Sequence, residues 1–449
     1  MQDKIKNINA RQILDSRGTP TISVEIELNS GLISQASVPS GASTGINEAF
    51  ELRDDEKTVY MGRGVLGAVK NVKEKISKAL IGTSILEQRK IDEILIEQDG
   101  TQNKKNLGAN AILGVSLASA RLASKFLNIP LYKYLGGING NILPTPMVNI
   151  LNGGVHADNN LEFQEFMITP TGADSFHLGL RMAVETFYSL KEILKKENMI
   201  TSVGDEGGFA PNLNSTREAL DLIIEAINKA GYSTEEIKIC LDVASSEFYN
   251  DGIYEIKSEN LKLNSMEMAT YIQHLIEDYP IISVEDPMAE QDYEGWKIIT
   301  NKLAQKCLLV GDDLFTTNVN LLAEGIENDL ANAILIKPNQ IGTLTETLDC
   351  IKLAKINGYK TIISHRSGET EDSFISDLAV GVNSGLIKTG SITRSERNAK
   401  YNRLLEIEGE LNKEFQGCRG DGAKYLGYGS FNNKFLKWNL CNMNCNKRN

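Results

Sequence analysis

Two periodicities divide the chain. Near its start, Thr21-Ile22-Ser23-Val24-Glu25-Ile26-Glu27-Leu28 alternates apolar and polar residues, the two-residue period of a half-buried strand. Val65, Val69, Val72 and Ile76 recur at spacings of three and four and predict an amphipathic helix. Ser84, with Glu87 three residues on, has the spacing of a capping box and is expected to open the next helix. The pattern lapses into turn residues at Gly136-Gly137-Ile138-Asn139-Gly140, which marks a domain boundary.

Beyond about residue 230, short apolar runs alternate with helical stretches, and each run ends in a polar residue. Ile237–Leu241 leads to Asp242, Ile281–Val284 to Glu285, Leu308–Gly311 to Asp312, Ala333–Ile336 to Lys337, Thr361–Ser364 to His365 and Gly385–Ile387 to Lys388. The steps are 43, 27, 25, 28 and 23 residues, enough for one strand and one helix per unit of an α/β array. Parallel strands in such an array end on one face, so these six residues are expected to converge.

Composition narrows the function. The 449 residues carry a net charge of −12 with no long basic run, which argues against nucleic acid or anionic lipid as the main partner. The opening MQDKIKNINARQ has no apolar core of a secretory signal. The apolar stretch from Asn110 to Leu127 carries Arg121 and Lys125, so no membrane span is expected. Six scattered cysteines read as reduced thiols of a cytoplasmic protein rather than a disulfide framework.

Asp242, Glu285 and Asp312 at three successive strand ends offer the all-oxygen donor set that suits Mg²⁺ better than zinc. Lys337, His365, Arg366 and Lys388 supply a cationic counterpart in an acidic protein, the signature of a small, strongly anionic substrate. Taken singly, each of these residues is ordinary solvated surface; six consecutive strand ends are not. A lysine beside metal ions and a second lysine should have its pKa lowered, so Lys337 is a candidate general base. Glycine-rich loops carry Asp205 and Glu206 (Gly204–Pro211) and His156 (Leu151–Asn159), with Glu165 following. His177 and His274 lie in helical stretches and read as structural. Ser40-Gly41-Ala42-Ser43-Thr44-Gly45 has the small, hydroxyl-rich composition of a mobile lid.

Longer motifs then identify a resemblance. DSRG at 15–18, SGASTG at 40–45, GANAIL at 108–113, QEFMI at 164–168, GDEGGFAPN at 204–212, VEDPMAEQDYEGW at 284–296, GDDLF at 311–315, NQIGTLTE at 339–346, SHRSGETED at 364–372 and RSERNAKYN at 394–402 resemble the enolase family from near the start to about residue 435. The resemblance implies an N-terminal α+β capping domain (1–136, with the lid at 40–45), a linker (137–143) and a modified eight-stranded α/β, TIM-like barrel (144–435) whose early strands break simple alternation. Residues 436–449 have no counterpart in it and are expected to be a disordered tail.

Carried over by position, the resemblance implies two Mg²⁺ ions per site, with Asp242, Glu285 and Asp312 on one and Ser43 helping to hold the other. It implies Lys337 as base and Glu206 as acid. The substrate-contacting set is His156, Glu165, Glu285, Asp312, Lys337, His365, Arg366, Ser367 and Lys388. The implied reaction is glycolytic: reversible dehydration of 2-phospho-D-glycerate to phosphoenolpyruvate through a Mg-stabilised enolate. A homodimer or octamer in the cytoplasm, with a secondary cell-surface location, is the implied setting. The alternatives are another enzyme of the superfamily, or a secondary role as plasminogen receptor or RNA-processing scaffold; the chain ends in Asn449 rather than lysine, which weakens the receptor role. Pro338, after the proposed base, should hold Lys337 extended.

Overall fold

The structure, a computed structural model, describes residues 2–41, 45–414 and 422–432. Ser43 of the lid and the expected tail at 436–449 lie outside the described residues.

The head opens with an antiparallel sheet of β1 (Ile5–Leu14), β2 (Pro20–Leu28) and β3 (Ile33–Ser37). Ile22, Val24, Ile26 and Leu28, the apolar phase of the alternation, are fully buried. They face helix Ala109–Phe126, which is apolar nearly all round because it is the centre of the head's core. Among the described residues no single helix is long and apolar enough to cross a membrane. Val65, Val69, Val72 and Ile76 line the buried side of the helical stretch 66–80.

The expected capping box does not form. The helix after it is α1 (Gln88–Asp99), whose N-cap is Glu87 rather than Ser84, with no side-chain cap bond. Ser84 instead pairs with Lys4 as an isolated β-bridge and turns its hydroxyl to the Asp3 carboxylate. A tertiary partner has taken the hydroxyl that the local motif would have used. We number Ala109–Phe126 as α2.

After α2 the chain crosses to a closed barrel of eight strands: β4 (Thr145–Asn152), β5 (Glu165–Thr169), β6 (Lys238–Asp242), β7 (Ile281–Glu285), β8 (Leu308–Gly311), β9 (Ala333–Ile336), β10 (Lys360–Ser364) and β11 (Gly385–Lys388). The glycines at the crossing do more than turn. A Cβ on Gly136 would lie 1.7 Å from the Gly381 carbonyl oxygen, so the connection is pressed against a barrel helix. β5 runs antiparallel to both β4 and β6, while the remaining neighbours are parallel. The longest of the sequence steps, 43 residues, accommodates a small antiparallel sheet within 249–263 ahead of its helix.

Inward-facing Met147, Met167, Cys240, Leu308, Val310, Leu335, Ile362 and Leu386 fill the barrel, and Phe431 joins them at the end away from the charged residues. Cys240, Cys307 and Cys350 are free and buried, and burial raises each thiol's pKa. Head and barrel are tied by polar contacts. Asp372 accepts a fork from Arg121 at 2.8 and 2.6 Å and the Ser37 amide at 2.9 Å. Lys104, buried, bonds Glu346 at 2.9 Å. Ser40 bridges to Gly368, which sets the start of the lid over the strand ends.

Candidate active site

Strand register explains the convergence. Asn152 pairs with Glu165, Glu165 with Asp242, and Asp242 with Glu285, so one row of the barrel crosses all four residues. Glu165 joins this rim because β5 is reversed: its first residue lies where its neighbours end. On the far side Ser364 pairs with Lys388. Asp242, Glu285, Asp312, Glu165, Glu206, His156, His365, Arg366, Ser367 and Lys388 are all buried, and Lys337 is partly exposed. Most of them line one small cavity. A wider groove between head and barrel carries none of them.

Lys388 reaches across the mouth. Its Nζ lies 2.7 Å from Asp242, 2.9 Å from both Glu285 oxygens and 3.0 Å from Glu165. Burial works against its charge, but Asp242, Glu165 and Glu285 outweigh that and hold its pKa well above the ordinary lysine value. Burial drives the Glu285 carboxyl well up, with Asp242 adding to the shift. Lys337 pairs with Asp312, whose other oxygen accepts from Gln340 at 2.9 Å. The fall expected for Lys337 belongs to a site holding metal ions; in the chain alone burial lowers its pKa, yet Asp312 more than compensates and raises it. Lys337 is extended at φ −122°, ψ 103°, as Pro338 requires.

The opposite wall combines loop residues with Glu165 of β5 and Asn149 of β4. Glu206 and Glu165 both accept from Asn149 Nδ2, at 3.3 and 3.1 Å, and both lie near His156 Nδ1, at 3.6 and 3.7 Å. His365 Nε2 is 3.3 Å from Glu206. Burial, reinforced by the charge of Glu206, raises Glu165 well above the carboxylate range. Burial opposes the charge of Glu206 as well, but the His365 and His156 rings offset it and hold Glu206 well below that range. The two close carboxyls therefore titrate as a pair, with the neutral form favoured on Glu165 and the charged form on Glu206. Burial lowers both histidines, His365 to about 4.

The lid meets this wall at Arg366. A Cβ on Gly41 would lie 1.9 Å from an Arg366 nitrogen, so any side chain there would push the guanidinium out of this position. Arg366 forks onto Glu48 at 2.9 and 3.1 Å and also bonds Asn339 at 3.1 Å.

The donor chemistry fits a hard divalent cation. Asp242, Glu285 and Asp312 present only oxygens, all buried, and their negative charge is met in the chain alone by the two ammonium groups. Among the described residues, the sets whose ligand atoms lie within 4.8 Å of one another are His156–Glu165–Glu206 and Asp286–Asp312–Asp313. Of the three strand-end carboxylates, Asp242 and Glu285 are instead bridged by Lys388, and Asp312 pairs with Lys337.

Several site residues escaped the sequence reading. Glu48, Asn149, Gln164 (3.2 Å to Asp242), Gln340, Arg397 and Asp286, which accepts the Asp312 and Asp313 amides at 2.9 Å each, all touch the named set. Gln164, Asp286, Gln340 and Arg397 sit inside motifs quoted above, which was a usable signal. Asn149 and Glu48 carried none.

Two family models match the chain. One described as "Enolase, N-terminal domain" covers residues 5–135, and one described as "Enolase, C-terminal TIM barrel domain" covers residues 140–426.

Proposed function

The chain belongs to the enolase family, and from that footing we propose that it catalyses the reversible dehydration of 2-phospho-D-glycerate to phosphoenolpyruvate. The observation that carries the reading is the separation of two proton-handling walls. Glu165 stands on β5 and Lys337 follows β9, four strands apart in an eight-stranded barrel and therefore on opposite sides of its mouth. A substrate held between them can lose a proton on one side and receive one on the other.

Asp242, Glu285 and Asp312 would hold one Mg²⁺, and Ser43 would help to hold a second. Bound there, Mg²⁺ would offset the negative charge that builds on the substrate carboxylate when a proton leaves the adjacent carbon. Lys337 takes the C2 proton. It is charged in the free chain because Asp312 pairs with it, so its base form requires that carboxylate to be engaged elsewhere. The C2–H electron pair first spreads onto the substrate carboxylate as an enolate, and in a second step it becomes the C2=C3 bond as the C3–O bond breaks. Glu206 protonates the departing hydroxyl, which leaves as water, and it would draw that proton from Glu165 beside it, the carboxyl of the pair that favours the neutral form. Arg366 and Lys388, with His156, His365 and Ser367, receive the anionic groups of the substrate, Arg366 exchanging Glu48 for one of them. The same reading carries a homodimer or octamer acting in glycolysis in the cytoplasm.

The test is direct: full-length protein, Mg²⁺ and 2-phosphoglycerate, with the ultraviolet absorbance of the enol product followed over time. Folded, Mg²⁺-supplied protein that forms no such product would overturn the proposal.

A further inference from the structure

The motif at 394–402 resembles the family but received no role above, and its arginine is among the most deeply buried side chains of the molecule. Arg397 lies in the first turn of helix Ser395–Glu414 with no solvent exposure. Its Nη1 bonds the Arg366 carbonyl at 2.6 Å and lies 3.0 Å from His365 Nδ1. Its Nη2 bonds the Ser367 carbonyl at 2.6 Å and the Asp205 carbonyl at 3.4 Å. One guanidinium thus joins the loop carrying Arg366 and Ser367 to the loop carrying Glu206.

The chemistry of the Nη1 contact is one-sided. A guanidinium nitrogen has only hydrogens to offer, so the His365 Nδ1 facing it must present its lone pair. In a neutral ring the proton is then on Nε2, the nitrogen 3.3 Å from Glu206. Gly390, at φ +78°, permits the arrangement: a Cβ there would lie 3.0 Å from both Arg397 Cδ and His365 Cε1. The segment before Arg397 grips the same acid loop from behind, through Ser391 N to Glu206 O at 2.9 Å, Thr393 Oγ1 to Gly207 O at 2.9 Å and Arg394 Nη2 to Gly204 O at 2.8 Å.

We propose that Arg397 is a positioning residue: it fixes His365 as the Nε2–H tautomer, so that the ring turns its N–H side toward Glu206, and it locks the substrate loop and the acid loop into one body. The positive charge beside the ring adds to burial in keeping His365 neutral near pH 7. The consequence for catalysis rests on the assignment of Glu206 as the acid, whereas the tautomer does not.

The experiment therefore reads both. Full-length, Mg²⁺-supplied protein labelled with ¹⁵N-histidine is compared with His365→Gln to assign the ring. The expected spectrum has a lone-pair nitrogen at Nδ1 and a protonated nitrogen at Nε2. An Nδ1–H tautomer or an imidazolium at neutral pH overturns the proposal. In Arg397→Lys the ring should become a mixture of tautomers and kcat should fall about 10²-fold, with a smaller change in KM. A fall in kcat with the tautomer unchanged would make Arg397 mere packing and also overturns it. If Arg397→Lys does not fold, His365→Gln, which keeps a donor near the Nε2 position, should retain more activity than His365→Asn, and the reverse order refutes the proposal. Should the dehydration assay itself fail while the Nε2–H tautomer is found, the proposed reaction falls and the positioning contact stands.

Discussion

The two walls of the site are held in place by different means. The lysine wall is set by the barrel ladder: Asp242, Glu285 and Lys388 are the last residues of strands, and register with their neighbours fixes where they point. Apart from Glu165 on β5, the carboxylate–histidine wall hangs on loops whose anchors lie far away in sequence. Glu206 is held through the 391–397 segment, the 365–368 loop through Arg397 and the Ser40 bridge, and residues just beyond it through Arg121 of the head. A wall built from strand ends resists local change. A wall built from loops can be adjusted from a distance, and equally can be disturbed from one.

The largest effect should come from removing what the lysine wall binds. Excess chelator is expected to take 2-phosphoglycerate turnover to background, with recovery on adding Mg²⁺, and Asp312→Asn should bind Mg²⁺ poorly by calorimetry. Full activity in chelator would show that the strand-end carboxylates serve only the lysines.

Next in size, the walls should separate by partial reaction. Lys337→Ala and Glu206→Gln should each lose about 10²–10⁴-fold in turnover. In heavy water Glu206→Gln should still exchange the C2 hydrogen of recovered substrate, read by mass spectrometry, and Lys337→Ala should not. Wild-type exchange in Lys337→Ala would end its assignment as base.

A smaller effect concerns how the loop wall leans on the head. Burial alone would raise Asp372, but Arg121 overcomes it and lowers the carboxyl to about 2. A depressed carboxylate stabilises above its unfolded value near 4, and that stabilisation is lost as pH falls through about 2. Asp372→Asn should therefore cost about 2 kcal/mol near neutral pH, seen as a lower melting temperature. The gap from wild type should narrow below about pH 4; a gap independent of pH would show that the charge of Asp372 is not what matters.

The smallest is a control on the same interface. Arg89 and Asp349 pair at 2.7 Å with side chains 67% and 41% exposed. Arg89→Ala should change stability by less than about 1 kcal/mol, and a larger loss would mean that exposed pairs also hold the head to the barrel.

The chain's own order of residues determined the strand ends. Alternation and run length are local properties, a strand ends where its apolar run ends, and parallel strands must finish on one face, so Asp242, Glu285, Asp312, Lys337, His365 and Lys388 were legible as a set. The extended Lys337 followed equally from its bond to Pro338. Tertiary structure alone decided the rest. The reversal of β5, which turns Glu165 from a strand start into a rim residue, depends on which neighbours it pairs with. Ser84 gave its hydroxyl to a distant aspartate, and Lys337 has its pKa raised because Asp312 pairs with it. Glu48 on Arg366 and Arg397 on His365 join residues hundreds of positions or tens of positions apart. A contact of that kind has no period for a sequence to display. It exists only once the closed barrel has brought its two ends of chain to the same few ångströms.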